Sequence, residues 1–202
     1  MDTPRGGQHL SAFTAINLNA KTPTLVDGDA VVCGSNAILL YLDEKTSAFL
    51  PVNAPPLNVQ MYLWLMFVAT DIGPYFSPAV HFKHAVPKSE TYALNRYGFD
   101  AHRHWAHICA QIATYRHMLG DTKTIVDTAV RGWARAVSFS LVADARTSPP
   151  NVKRLLDEIN ARFAARRAND LKTKRAHKAE MDEDTRKVLF SRNARLSTLA
   201  AT

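Results

Sequence analysis

Two cysteines in 202 residues, Cys33 and Cys109, are too few and too far apart for a disulfide framework, and neither belongs to a C-x-x-C pair. Any thiol chemistry would need a thiol from outside the chain. Long apolar runs are also missing: "MYLWLMFVA" at residues 61–69 falls well short of the roughly 20 residues that a membrane-spanning helix needs. The start, "MDTPRGGQHL", has no apolar leader core, so the expectation is a cytoplasmic protein with no membrane partner. Gly-rich phosphate loops and G-x-S-x-G elbows are absent, since "RGG" and "DGD" have neither spacing. His102, His104 and His107 do not make a metal site. On a helix, His102 and His104 point about 160° apart and His102 and His107 about 140°, so one ion cannot gather them.

Positive charge is in excess, at +7, but it is unevenly spread. Residues 162–195 hold 11 Lys and Arg against 5 Asp and Glu, whereas residues 1–161 hold 14 against 13. The basic tail is interrupted by "EMDED" and carries no alternating aromatics, so a solvated tail is expected and nucleic acid is not the expected partner.

What the chain does have is a dense block of signals at residues 16–44, "INLNAKTPTLVDGDAVVCGSNAILLYLDE". Pro23 is barred from a strand interior and marks a strand start or a cis peptide, leaving the backbone of Thr22 free. Asp27-Gly28-Asp29 between "TLV" and "VVC" is a hairpin signal. Ser35 then opens a helix with an apolar face of Ala37, Ile38, Leu40, Tyr41 and Leu42, and free N–H groups at such a start attract anions. A free backbone edge at Thr22 and an anion seat at Ser35 offer a peptide-like ligand two handles.

Beyond a turn-rich linker of Pro51, Asn53, Pro55 and Pro56, the pattern is helical. Helices are expected over 58–72, stopped by Gly73-Pro74; over 89–117; over 125–142; and from Pro150 onward. Four amphipathic helices with short links make a bundle. Thr124-Ile125-Val126-Asp127 fits a capping box opening the third.

The segment "NLNAKTPTLVDGD…GSNAILLYLDEKT" resembles the second half of the thioredoxin-like domain of glutathione S-transferases. "RGGQH" at 5–9 and "GPYFSPAVHFKHAVPKSETYALNRYGFDAHRHW" are similar to the bacterial Nu class, the glutathione-dependent disulfide-bond oxidoreductases. The likeness runs from residue 5 to about residue 170. It implies an α+β, mostly α fold: a truncated thioredoxin-like N-terminal domain, hairpin plus helix, followed by an all-α C-terminal helical bundle. The implied domains are 1–50, 51–170 and a basic extension at 171–202.

The resemblance also implies a ligand, glutathione as co-substrate, and a second substrate that is a small electrophile or a disulfide. Gln8 would hydrogen-bond the tripeptide, Thr22 beside cis-Pro23 would pair with its cysteinyl backbone, and Ser35 would cap the γ-glutamyl carboxylate. Asn36 is a further candidate contact, and Arg96 would reach a carboxylate with its planar fork. Members are typically homodimers and are not metal-dependent, which argues against a metal at His81 and His84. A non-catalytic helical interaction module descended from such an enzyme is the alternative.

Three departures from the family pattern bear on these expectations. Gly34 stands where the family has glutamate, so glutathione binding is expected to be weaker by about 1–2 kcal/mol. Phe163 stands where a helix-breaking proline is common, so the fourth helix is expected to run on. The family's opening strand, helix and strand, with the residues that activate the glutathione sulfur, have no counterpart in these 202 residues. No catalytic residue is therefore assigned. The hairpin is then expected to be marginal alone, and residues 1–15 loosely ordered.

Overall fold

The Asp-Gly-Asp signal produces the hairpin it predicts. In a computed structural model, which describes residues 2–51, 55–86, 88–141, 149–174 and 182–190, β1 (Thr24–Asp27) and β2 (Ala30–Cys33) pair antiparallel. Thr24 faces Cys33 and Asp27 faces Ala30, leaving Gly28 and Asp29 as a two-residue loop. Gly28 takes φ +60°, the conformation a primed turn requires there. The Thr22-Pro23 peptide is cis.

Ahead of the hairpin, where a loose lead is expected, the chain forms two 3-10 turns, Thr3–Arg5 and Gly7–His9, and a short helix, α1 (Ser11–Thr14). Gly6 joins the two turns at φ +81°. After the hairpin come α2 (Ser35–Thr46), α3 (Pro55–Phe67), α4 (Gly73–Val80), α5 (Thr91–Thr114), α6 (Ile125–Ala134), α7 (Val137–Ser140), α8 (Pro150–Asn160), α9 (Phe163–Lys174) and α10 (Glu183–Phe190). The fold is α+β and mostly α. Contacts divide the chain into two units, residues 1–34 with 170–202, and residues 35–169. The linker residue Asn53, the expected end of the third helix at 142, and residues 175–181 and 191–202 of the basic extension lie outside the described residues.

The first unit is built from the two 3-10 turns, α1, the hairpin and α10, with α10 packed on the Thr3–Arg5 turn. The second is a helical bundle around Leu65, Ile72, Phe76, Trp105, Ile108 and Leu155, all fully buried. On α5 the buried stripe Ala101, Trp105, Ile108 and Ile112 keeps the helical spacing of four, three and four. The Phe76 ring lies edge-on between Trp105 and Trp133, at 5.8 Å from each.

Several helix limits differ from the sequence expectation: α3 begins at Pro55, within the expected linker, and the helix expected over 89–117 spans Thr91–Thr114. Gly73-Pro74 does not stop the second unit's first long helix. A π turn at Val68–Ile72 carries α3 into α4, with the Gly73 N–H bonded to the Val68 carbonyl. A proline ring cannot sit against the carbonyl four residues back in a regular helix, and the wider π turn gives it room. Pro78 lies inside α4, and a second π turn, His81–Ala85, follows that helix.

The third helix breaks at Ala136, whose φ of −95° and ψ of −5° turn α7 onto α4, so that Val137 and Leu141 both reach the core. The fourth ends at Asn160 rather than running on past Phe163. Ile159 is the last buried residue of its face, and Phe163, the next position on it, is exposed, so no packing holds the helix straight. The capping box is present: Asp127 Oδ2 accepts from the Thr124 N–H at 2.8 Å and from its hydroxyl at 3.2 Å.

Candidate functional site

The expected ligand residues fall in both units: Gln8, Thr22 and Pro23 in the first, Ser35, Asn36 and Arg96 in the second. Gln8 sits in the Gly7–His9 turn, 6% exposed. Its Nε2 lies 3.2 Å from His9 Nε2, and its Oε1, an amide acceptor, has no partner among the described residues.

Thr22 and Pro23 are exposed. Thr22 makes no backbone hydrogen bond among the described residues, while the Pro23 carbonyl accepts the Gly34 N–H at 3.1 Å and closes the open end of the hairpin. The free edge is held by a residue that sequence reasoning missed. Asn17 is buried, and its Nδ2 donates to the Lys21 carbonyl at 2.7 Å and to Thr24 Oγ1 at 2.9 Å. Its Oδ1 accepts the Asn19 N–H at 3.0 Å, so one side chain fixes the loop that presents Thr22. The signal was an asparagine followed by a turn, a side chain that mimics backbone.

Ser35 begins α2 directly after Gly34, which takes φ +92°, and it is exposed, as an anion seat requires. Asn36 has another engagement: its Nδ2 donates to the Leu65 carbonyl at 2.7 Å and ties α2 to α3.

Arg96 is half exposed on α5 and ion-paired with Asp100. Asp100 is buried and also takes Arg103 Nε at 3.3 Å. Arg103 Nη2 lies 3.0 Å from Nε2 of the buried His104, whose Nδ1 is 3.5 Å from Asp71 Oδ1. Burial first, then Arg103, lower the His104 pKa below its ordinary value, with Asp71 pulling the other way. The imidazole is therefore neutral at pH 7, with Nε2 accepting from the guanidinium.

Aromatic rings line the same face of the second unit. Tyr75 lies 4.8 Å from His104, Phe67 5.7 Å from it, and Phe82 stacks on Tyr97 at 5.5 Å. The remaining N–H groups of Arg96 and Arg103 can take a carboxylate, and the rings can take a flat apolar group. Among the described residues no three His, Cys, Asp or Glu side chains gather as metal ligands, and no helix is long and apolar enough to cross a membrane.

Residues 3–49 match the family described as glutathione S-transferase, N-terminal domain. The disulfide-bond oxidoreductase YghU of Escherichia coli is 34% identical over 173 residues, 80% of this chain and 59% of that protein. The chain belongs to the glutathione S-transferase superfamily. Within the superfamily it is Nu-class-like. A glutathione S-transferase domain-containing protein of Dictyostelium discoideum is 30% identical over 164 residues, 78% of this chain and 63% of that protein. The structure of glutathione transferase YghU from Streptococcus pneumoniae complexed with glutathione superposes with a TM-score of 0.73 at 28% identity, covering 84% of this chain and 68% of that one. The chain thus spans about three-fifths of the length of these curated relatives. The two-stranded sheet and the mostly helical remainder of this transferase-superfamily chain are consistent with a truncated thioredoxin-like part followed by a helical part.

Proposed function

We propose that this chain binds glutathione and uses its thiol for conjugation or for reduction of a disulfide. The observation that carries the reading is the unbonded Thr22 backbone beside cis-Pro23, on a hairpin that leads through Gly34 straight into the Ser35 end of α2. Thr22 pairs with the cysteinyl backbone, Ser35 and the N–H groups behind it take the γ-glutamyl carboxylate, Gln8 Oε1 accepts an amide N–H, and Arg96 takes a carboxylate. A relative named as a disulfide-bond oxidoreductase and another crystallised with glutathione support the ligand and the reaction class.

In disulfide reduction the glutathione thiolate attacks one sulfur and expels the other as a thiolate. A second glutathione thiolate then attacks the mixed disulfide, yielding glutathione disulfide and the reduced substrate thiol. Two electrons pass from two glutathiones to the substrate. The rings of Tyr75, Phe82 and Tyr97 suit an apolar electrophile or disulfide. A cytoplasmic location fits, because there the glutathione pool is kept reduced.

The chain also pairs with a second copy of itself in this reading. On α3, Val59, Tyr62, Leu63 and Met66 stand exposed at helical spacing, an apolar stripe that a homodimer would cover.

A second reading, a helical interaction module without turnover, draws on two observations. The Asn36 amide is spent on Leu65, and Arg96 is already paired with Asp100. Calorimetric titration with glutathione separates the two. Millimolar or tighter binding, weakened about tenfold by Ser35→Ala as expected for a hydrogen bond to a charged group, supports the glutathione reading. No heat of binding in the wild-type chain transfers the case to the interaction module.

A further inference from the structure

The glutathione reading gives α10 no role, yet α10 is packed on the segment that carries Gln8. A Cβ built on Gly6 would lie 3.2 Å from Val188 Cγ1, so the αL glycine and the valine are in close contact. The Thr3–Arg5 turn rests on the same helix. Thr185, one helical turn before Val188 and on the same face, is almost fully buried. The helix is itself well started: the Asp182 carboxylate accepts the Thr185 N–H at 2.9 Å, and Glu183 pairs with Lys187 at 2.8 Å.

Gly6 is the joint between the two 3-10 turns. Its N–H bonds to the Thr3 carbonyl at 3.0 Å, the Gly7 N–H to Asp2 at 3.0 Å, and the His9 N–H to the Gly6 carbonyl at 2.9 Å. Gln8 lies inside the second turn, so the direction of its side chain depends on the geometry of Gly6 and Gly7. Three-residue turns have too few hydrogen bonds to hold themselves, and something outside them must do it. Gln8 is nine-tenths buried, and while its Nε2 meets His9, its Oε1 has no hydrogen-bond partner among the described residues and is open to a ligand donor.

We infer that α10 is a clasp that positions Gln8 for glutathione, with Val188 against Gly6 as the positioning contact. The inference rests on the reading that Gln8 accepts a hydrogen bond from glutathione. Val188 touches no ligand in this scheme and acts only through the turn.

The test is a double-mutant cycle on the full chain, with glutathione affinity read by calorimetry for wild type, Val188→Ala, Val188→Asp, Gln8→Ala and the Val188→Asp, Gln8→Ala double variant. Hydrogen exchange at Gly6, Gly7 and His9 is measured alongside. The expected result is that Gln8→Ala and Val188→Asp each weaken binding about tenfold, the double variant no more than either, and that exchange speeds up at those three amides while the α5 core stays protected. Val188→Ala, which only shortens the contact, should give a smaller change in the same direction.

Two results overturn the inference: unchanged affinity in the Val188 variants while Gln8→Ala weakens it, or effects that multiply independently. If wild type binds no glutathione, the functional reading falls, and the exchange data then decide separately whether the clasp exists.

Discussion

Asp43 is 2% exposed, and neither of its carboxylate oxygens has a hydrogen-bond partner among the described residues. It lies on α2 on the same side as Leu39 and Leu40, which pack on the helical core. Burial, and secondarily the charge of Glu44, raise its pKa above the ordinary 3.8. The folded chain therefore holds this proton more tightly than the unfolded chain does, and stability falls as pH rises from the ordinary value through the raised one. Above that window the full cost remains. Asp43→Asn should flatten this part of the pH profile and raise stability at pH 7 by about 1–3 kcal/mol, read by urea unfolding at several pH values. A variant with the wild-type profile would contradict the assignment.

At this scale the sequence was informative about exposed ends and silent about buried exceptions. The helix start at Ser35 and the cis bond before Pro23 could be read because their signals are local, a hydroxyl residue ahead of an apolar run and a missing N–H. Asp43 looks like an ordinary acidic residue near a helix end, since burial by a distant element leaves no mark on the neighbouring letters. Asn36 shows the same limit: a first-turn residue from its position, but an inter-helix tie once Leu65 is brought near.

Among the elements, α6 is the one whose start is most firmly fixed. Asp127 is fully buried and takes the Thr124 N–H and hydroxyl through Oδ2 and the Met118 N–H through Oδ1 at 2.9 Å, with His117 Nδ1 3.5 Å away. One carboxylate thus caps a helix and closes the loop before it. Asp127→Ala removes the acceptor from two buried N–H groups and should cost about 3 kcal/mol, seen as a lower urea midpoint at unchanged slope. Loss of under 1 kcal/mol would mean that water replaces the carboxylate there.

The capping box was legible because its two members are three residues apart. The π turns were not, because Gly73-Pro74 reads as a helix breaker, whereas the chain continues into α4, where Phe76 packs between Trp105 and Trp133. At Gly73 that packing is close: a Cβ there would come within 3.3 Å of the Trp133 ring. Gly73→Val should therefore destabilise by about 1–3 kcal/mol, as overpacking does, in the same unfolding assay.

For the whole molecule, the exposed α3 stripe sets the expected assembly. Leu63→Arg places a charge at its centre and should convert a homodimer to a monomer in sedimentation velocity, with the helical unit's far-UV spectrum unchanged. A wild-type chain that stays monomeric at high micromolar concentration would remove the dimer from the proposal. The fold class and the family were legible in the sequence because hairpin, cap and helical stripes are short-range patterns. The alliance of residues 1–34 with 170–202 was not, since no local pattern announces contacts between the two halves of that unit.

That alliance also orders events during synthesis. Gly6 and Val188 meet although they are about 180 residues apart in the chain. Every residue of α2 to α8 leaves the ribosome before α10 does, so the helical bundle can fold while the Gln8 segment still waits for its packing partner. The nascent chain can acquire its core first, and on the clasp inference the 3-10 turns that carry Gln8 are completed only when residues 183–190 emerge.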